Sequence, residues 1–391
     1  MITIPSIQFD EIQGNIFGGF NKDHAVFILL KVTDAAKARI TFNHDTELLK
    51  DTAESCSTKV LRFNNQFKAL KHAGVPEGSI EATWTNVVFT FTGLEKFGAK
   101  GLGNFPQAFV QGMSNRANHI GDNGGNAPAI WNDGMNSIVP WADVDVMILL
   151  ASDNPSQLDE AVADSRVAKY LAALGGANSG LTVFDRIRGE TRMDSGPDQV
   201  GHEHFGFKDG VSQPGIRGVT MPDDPLGNPN QGNPGQDLLH PGEFVLGYPR
   251  QIPQAKQLAD LSVVDGPNPD PGVIAGEEFY VTDPDGSKKV LPAWTKNGSF
   301  LVFRRLAQDV KGFKDALTNI AGDIGITEDL LGAKLVGRYK TGAPLEALKW
   351  QVGVGNYQPP MTDPGVANPA LANSDSLNND FEYGDDETGG L

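Results

Sequence analysis

The chain has 391 residues, more than one hydrophobic core usually fills, so two domains are expected. Apolar residues make up 39% and aromatics 8%, ordinary values for a globular protein, which sets wholesale disorder aside. A net charge of −17 leaves no basic patch to neutralise phosphates, so nucleic acid and anionic membranes are disfavoured as partners, while neutral or cationic small molecules suit it.

The N-terminal run MITIPSIQFDEIQGNIFGGF has no basic n-region and no long apolar stretch, so no signal peptide is read there. No window approaches eighteen apolar residues, so no membrane span is expected. The chain as written reads as soluble: cytoplasmic, or secreted with a leader removed. Gly14, Gly18 and Gly19 have no strand before them and no Lys after, which is not a nucleotide loop. Residues 25–32 (AVFILLKV) are an apolar run of strand length, and 33–52 read as helix. The single cysteine, Cys56, excludes an intrachain disulfide, a thiolate zinc site and an iron–sulfur cluster, and reads as a small core residue. Residues 86–92 (NVVFTFT) are a second strand, with a short helix at 94–98 behind it. A third strand is read at 143–151. A helix follows over 154–174, with Pro155 near its start and Leu158, Val162, Val167, Tyr170, Leu171 and Leu174 at near-helical spacing before Gly175-Gly176. Residues 181–188 (LTVFDRIR) make a fourth strand. This interleaving predicts an α+β fold of the ferredoxin-like kind, an antiparallel sheet with peripheral helices.

The second half restarts the pattern. Strands are read at 243–247 and 298–306 (GSFLVFRRL), a hairpin at 279–290 around Pro284-Asp285-Gly286, and helices at 309–320 and 327–335. Asp283-Pro284-Asp285-Gly286-Ser287 is no calcium loop, because Trp294 stands where the Glu should be. Arg304 and Arg305 lie in the apolar run, facing either an anionic group or a salt-bridge partner. Asn297-Gly298-Ser299 is a sequon that carries little weight. Residues 223–241 and 265–271 are Gly/Pro/Asn-rich loops, and the tract from 357 to 391 ends in Asp380, Glu382, Asp385, Asp386 and Glu387, so it reads as solvated. The expected division is an N-terminal domain over 1–200, a second domain over 201–356, and an acidic loop-like tail over 357–391.

Residues 201–218 (GHEHFGFKDGVSQPGIRG) are the most informative stretch. Glycines on both sides of Asp209 let the backbone turn sharply and approach something flat or bulky. Asp209 then faces a ligand as acceptor or acid/base, or it caps its own turn, and spacing alone slightly favours the cap. His202 and His204 would share a face if they lay on a strand and could touch a metal there; without a third ligand at a recognisable spacing, structural hydrogen bonding is the preferred reading, and no metal site is assigned.

These residues resemble the fungal type of dye-decolorizing peroxidase, a haem enzyme on a double ferredoxin-like fold with a G-x-x-D-G signature. Here the signature is Gly206-Phe207-Lys208-Asp209-Gly210 within HEHFGFKDGVSQP. IQGNIFGGF, NVVFTFTGLEKFG, PGEFVLGY, NGSFLVFRRL and LLGAKLVGRYKTGAP follow the family's order, from about residue 12 to about residue 345. The resemblance implies haem b as cofactor, and hydrogen peroxide and small aromatic molecules such as dyes and phenols as substrates. It implies that Asp209 is the distal acid/base, set between burial and a neighbouring Arg, with Gly210, Ser212 and Gln213 along the haem.

The family's proximal His follows an acidic, Asn-rich stretch in a CPFxAH-like run. Here NNDFEYGDDET at 378–388 is followed by Gly389-Gly390-Leu391. The comparison therefore implies a chain that stops before the proximal His and the distal Arg, with its second domain incomplete. A missing edge of the second domain would expose apolar surface and open strand edges, which would drive a homodimer or pairing with a separate fragment. Tyr383 and Met361 are poor substitutes as axial ligands. An alternative of a different class is a haem-free homologue that acts as a binding or interaction protein, or as half of a complemented site. A non-haem oxidative reaction is a third, minor reading.

Overall fold

His24–Val32 forms the central strand β1, and its burial decides the architecture: every second residue from Val26 to Val32 is buried, and Leu29 is buried on the opposite face. The computed structural model describes residues 6–43, 46–76, 78–131, 141–192, 201–222, 232, 236, 238–250, 273–274, 278–282, 287–345 and 358–372. The chain divides into two compact units. One comprises Met1–Glu190, Gly242–Arg250 and Asp270–Leu301; the other comprises Thr191–Pro241, Gln251–Pro269 and Val302–Leu391.

In the first unit β1 lies between β3 (Val146–Ser152) and β4 (Leu181–Glu190), and β2 (Thr83–Phe89) flanks β3. All three pairings are antiparallel, with Ile28 opposite Ile148 and Val87 opposite Ile148 from the other side. The order β2-β3-β1-β4 is that of a ferredoxin-like sheet, so the α+β expectation holds. One face carries Val26, Ile28, Leu30, Val146, Ile148 and Leu150, packed against Val167, Tyr170 and Leu174 of the helix Arg166–Leu174. The other face meets Phe20 and Val60 through Ala151, Leu149 and Trp84.

Several predicted boundaries shift for local reasons. The helix expected over 33–52 is two helices, Ala35–Thr41 and Glu47–Glu54. Asp34 caps the first through the amides of Ala36 and Lys37, and Asn43 and Thr46 form a turn between them. The helix expected over 154–174 is a short 3-10 turn, Pro155–Leu158, and then Arg166–Leu174. Asp159 diverts the chain in between, accepting from the Ala161 amide at 2.9 Å while its carbonyl accepts from Ser165 Oγ at 2.7 Å. Ser57–His72 is a sixteen-residue helix that the sequence reading missed, because its sequence is mostly polar and only Ser57 and Val60 are buried.

Two expected strands do not form. Residues 243–247 make a tight turn, since Gly247 is left-handed (φ 90°) and the chain folds back with Gly242 N donating to Pro249 O. The run 298–306 joins none of the sheets described. Gly298 O accepts from Leu246 N at 2.9 Å, and past that point no strand among the described residues continues the ladder; Val302 is 74% and Leu306 69% exposed. Strand geometry is held by cross-strand bonds, so β-prone composition alone does not produce it. The hairpin survives as Glu278–Thr282 paired with Lys288–Leu291, its Pro-Asp-Gly turn lying outside the described residues. The sequon Asn297 is engaged: its Oδ1 accepts from Tyr248 Oη at 2.7 Å and its amide donates to Gln8 Oε1 at 3.0 Å. Cys56 is buried and free, as read.

Tyr170 is 2% exposed and donates to Asp51 Oδ2 at 2.7 Å, with Thr85 Oγ1 at 3.1 Å and Arg166 paired to the same carboxylate at 2.9 Å. Burial first, then the bond to Asp51, pushes the hydroxyl well above its ordinary 10.0. A raised value means that the folded state holds this proton more tightly than the unfolded chain. The contribution is therefore complete below about pH 10 and is lost progressively as pH rises beyond it. Tyr170→Phe is expected to cost about 1 kcal/mol near neutrality. Its deficit against the parent should shrink above pH 10 in urea titrations. A deficit that stays constant to pH 11 would refute this account.

The second unit holds the helices Val310–Ile324 and Glu328–Val336, capped by Asp309 and Thr327, close to the ranges expected. Residues 358–372, read as part of a solvated tail, pack instead. Ala372 and Leu371 join Leu330, Ala333 and Tyr339, and Asp363 accepts from Thr341 Oγ1 at 2.7 Å and Thr341 N at 2.9 Å. The acidic stretch from 373 lies outside the described residues. Among the described residues no helix is long and apolar enough to cross a membrane.

Candidate functional site

Residues 201–209 close on themselves. Asp209 N donates to Gly201 O at 2.8 Å, His202 bridges antiparallel to Lys208, and Glu203 N donates to Phe207 O at 2.9 Å. This small hairpin is fastened at two places within its unit. Phe207, 4% exposed, rests on Gly332, where any side chain would meet its ring at 2.9 Å, and Phe205 stacks on Phe313 with ring centroids 4.3 Å apart. On the other side Lys208 N donates to Lys340 O at 3.1 Å, and His202 Nε2 lies 3.1 Å from the same oxygen.

Asp209 stands exposed at the open end of the hairpin. Its Oδ1 accepts from Gly210 N at 2.7 Å, so the carboxylate does brace its own turn. Its other oxygen is not used by that bond. Gly201 (φ 79°) and Gly210 (φ 65°) are left-handed, and a Cβ at either would meet nothing within 4 Å among the described residues. The glycines therefore leave an open face beside the acid.

The other predicted residues lie along the same strand of chain. Ser212 is half-buried, and its Oγ lies 3.4 Å from Arg338 Nη2, while Arg338 Nη1 donates to Gly342 O at 3.1 Å. Gln213 is exposed, and its carbonyl accepts from Gln236 Nε2 at 2.7 Å. His202 is held by the Lys340 carbonyl and His204 is exposed, its amide donating to Gln308 Oε1 at 3.0 Å. Among the described residues no three His, Cys, Asp or Glu side chains gather as metal ligands.

Three residues went unassigned in the sequence reading: Glu203, Gln308 and Arg338. The Glu203 carboxylate accepts from Phe207 N at 2.7 Å, Phe205 N at 2.8 Å and Gln308 Nε2. Arg338 brings a guanidinium to Ser212 from 126 positions away. Its only sequence signal was its place in LVGRYKTGAP, which has no spacing relation to the signature.

A model of the DyP dimeric alpha+beta barrel domain matches residues 11–192. Peroxidase 2 of Mycetinis scorodonius is 28% identical over 342 residues, covering 87% of this chain and 51% of its own. The dye-decolorizing peroxidase msp1 of the same fungus is 28% identical over 389 residues, covering 97% of this chain and 57% of its own. A solved ancestral D-type dye decolorizing peroxidase superposes with a TM-score of 0.63 at 27% identity, over 96% of this chain and 64% of that one. Residues 11–192 thus match the domain of dye-decolorizing peroxidases, and the chain as a whole is similar to members of that family. It spans about half the length of the curated relatives it matches. The ferredoxin-like sheet β2-β3-β1-β4 falls inside the matched domain.

Proposed function

We propose that the chain is a haem-dependent peroxidase that uses hydrogen peroxide to oxidise dyes and phenolic compounds. One observation carries this reading: in a chain similar to dye-decolorizing peroxidases, Asp209 sits exposed between two left-handed glycines where a Cβ would meet none of the described residues within 4 Å. That frame fits one face of a flat macrocycle, which needs close backbone approach and one polar group beside it. Gly210, Ser212 and Gln213 would lie along haem b, with Arg338 behind Ser212. None of the described residues is assigned as a ligand of the haem iron.

Bound haem would supply the iron at which peroxide is taken up and cleaved. The part left to this chain is proton handling. Asp209 would hold and move a proton between the two oxygens of bound hydrogen peroxide. The Gly210 amide, bonded to Oδ1, holds the carboxylate plane while the second oxygen does the transfer.

Small aromatic substrates follow from the relatives' names, and a homodimer from the matched domain's description as dimeric. The proposed domains are 1–200 and 201–356; the compact units differ from them in grouping 242–250 and 270–301 with the N-terminal residues. The relatives named above are peroxidases, which does not favour the haem-free alternative. The test is to titrate the full chain with hemin and follow the Soret band, then peroxide-dependent dye oxidation. Saturation near one equivalent with turnover is expected; failure to take up hemin would overturn the reading.

A further inference from the structure

Glu203 is the most heavily bonded side chain of the signature hairpin, yet no step of the proposed chemistry uses it. Its two carboxylate oxygens divide three donors: Oε1 takes Phe207 N, and Oε2 takes Phe205 N and Gln308 Nε2. Its backbone carbonyl accepts from Gly206 N at 3.0 Å and from Arg192 Nη1 at 3.0 Å. The whole 203–207 turn is therefore wound about this one residue. Gln308 also receives the His204 amide, so the turn is pinned to the segment just before the helix Val310–Ile324. The pinned turn sets where residues 208 and 209 leave it, and the bond from Asp209 N to Gly201 O closes the hairpin there.

We propose that Glu203 is the positioning residue for Asp209: its ionised carboxylate clamps the 203–207 turn and thereby fixes where the Asp209 carboxylate stands. The inference rests on the reading of Asp209 as the proton-carrying group.

Charge is the reason a carboxylate is needed. All three partners are N–H donors, and only an ionised carboxylate accepts from every side. A glutamine would turn its own N–H₂ towards one of those donors. Burial alone would push the Glu203 carboxyl up, but the amides of Phe205 and Phe207, then Gln308 and the adjacent His204, hold it below its ordinary value. The other charged groups near it are Arg192 at its carbonyl, His202 and Lys208 across the hairpin, and Asp309 next to Gln308. A lowered value means that the clamp is complete above the unfolded carboxyl's range and is released as pH falls through the folded one.

The test uses the full chain and needs no cofactor for its first readout. In the parent, amide proton shifts and exchange protection of Phe205 and Phe207 should change together as pH is lowered below the ordinary Glu range. In Glu203→Gln the Asp209 amide should exchange about tenfold faster or more at pH 7, with the helix Val310–Ile324 unchanged. In hemin-loaded protein the double variant E203Q/D209N should turn over peroxide no more slowly than D209N alone, because Glu203 acts through Asp209. Unaltered protection at Asp209 in E203Q, or losses that multiply in the double variant, would overturn the proposal. If D209N leaves turnover unchanged, the reading of Asp209 falls, while exchange at its amide still decides the clamp.

Discussion

Replacing Asp209 by Asn is expected to lower peroxide-driven turnover of the hemin-loaded chain by about 10²- to 10⁴-fold, the usual size of a lost general acid/base. Asn keeps the shape of the side chain and an oxygen to accept from Gly210 N, so the turn should remain closed. What it loses is the proton acceptor. Hemin uptake should change little, because the glycine faces beside residue 209 are untouched. Asp209→Ala gives a sharper control. It opens space at an exposed position, and added formate should restore part of the turnover by supplying a carboxylate. Rescue by formate cannot follow if residue 209 merely braces its turn. The measurement is the initial rate of dye oxidation against peroxide concentration for the parent and both variants, with the Soret titration run beside it. Equal rates in the parent and D209N would remove Asp209 from the mechanism.

The second large effect concerns stability. Asp145 is fully buried at the start of β3, where Oδ2 accepts from Val32 N at 2.7 Å and from Lys96 Nζ at 2.6 Å. Its backbone also bridges two neighbours, donating to Leu30 O at 2.9 Å and accepting from Thr90 N at 3.0 Å. One residue thus ties the end of β1 to the helix Phe91–Lys96. Asp145→Ala leaves a buried amide without its acceptor and an ammonium without its counter-charge. Breaking such a buried pair costs about 3–5 kcal/mol. Lys96 is 39% exposed and can recover water, so the lower end, about 3 kcal/mol, is expected. Asp145→Asn keeps an acceptor for Val32 N and should lose about half as much. Urea unfolding of the first unit's tryptophan signal, with an unchanged slope, is the measurement. A loss below about 1 kcal/mol for the alanine variant would mean that the strand end repairs itself.

The strands of the first unit were legible because apolar, β-branched and aromatic residues concentrate in them, most of all in β1 and β3, which bury residues on both faces. AVFILLKV can scarcely be anything but a central strand, and it is β1 to within one residue. Helix ends were less legible. Asp159 interrupts an apolar spacing that looks continuous, because its side chain bonds the Ala161 amide in competition with the helix; at Asn43 the break is a backbone turn closed by Thr46. The run 298–306 shows the opposite failure. Its composition is strongly β-prone, yet a strand is a property of two segments, and no neighbour continues its ladder among the described residues.

The sequence by itself determined the sheet of the first unit, the glycine frame around Asp209 and, through ordered motifs, the resemblance to dye-decolorizing peroxidases. Each of these is carried by neighbours in the chain, where spacing and backbone freedom are read directly. The tertiary structure alone decided what surrounds the signature. Gln308 reaches Glu203 across 105 positions and Arg338 reaches Ser212 across 126, with no periodicity to announce either. Long-range hydrogen bonds are selected by the folded backbone that brings donor to acceptor, so single residues such as Glu203 acquire their role only there.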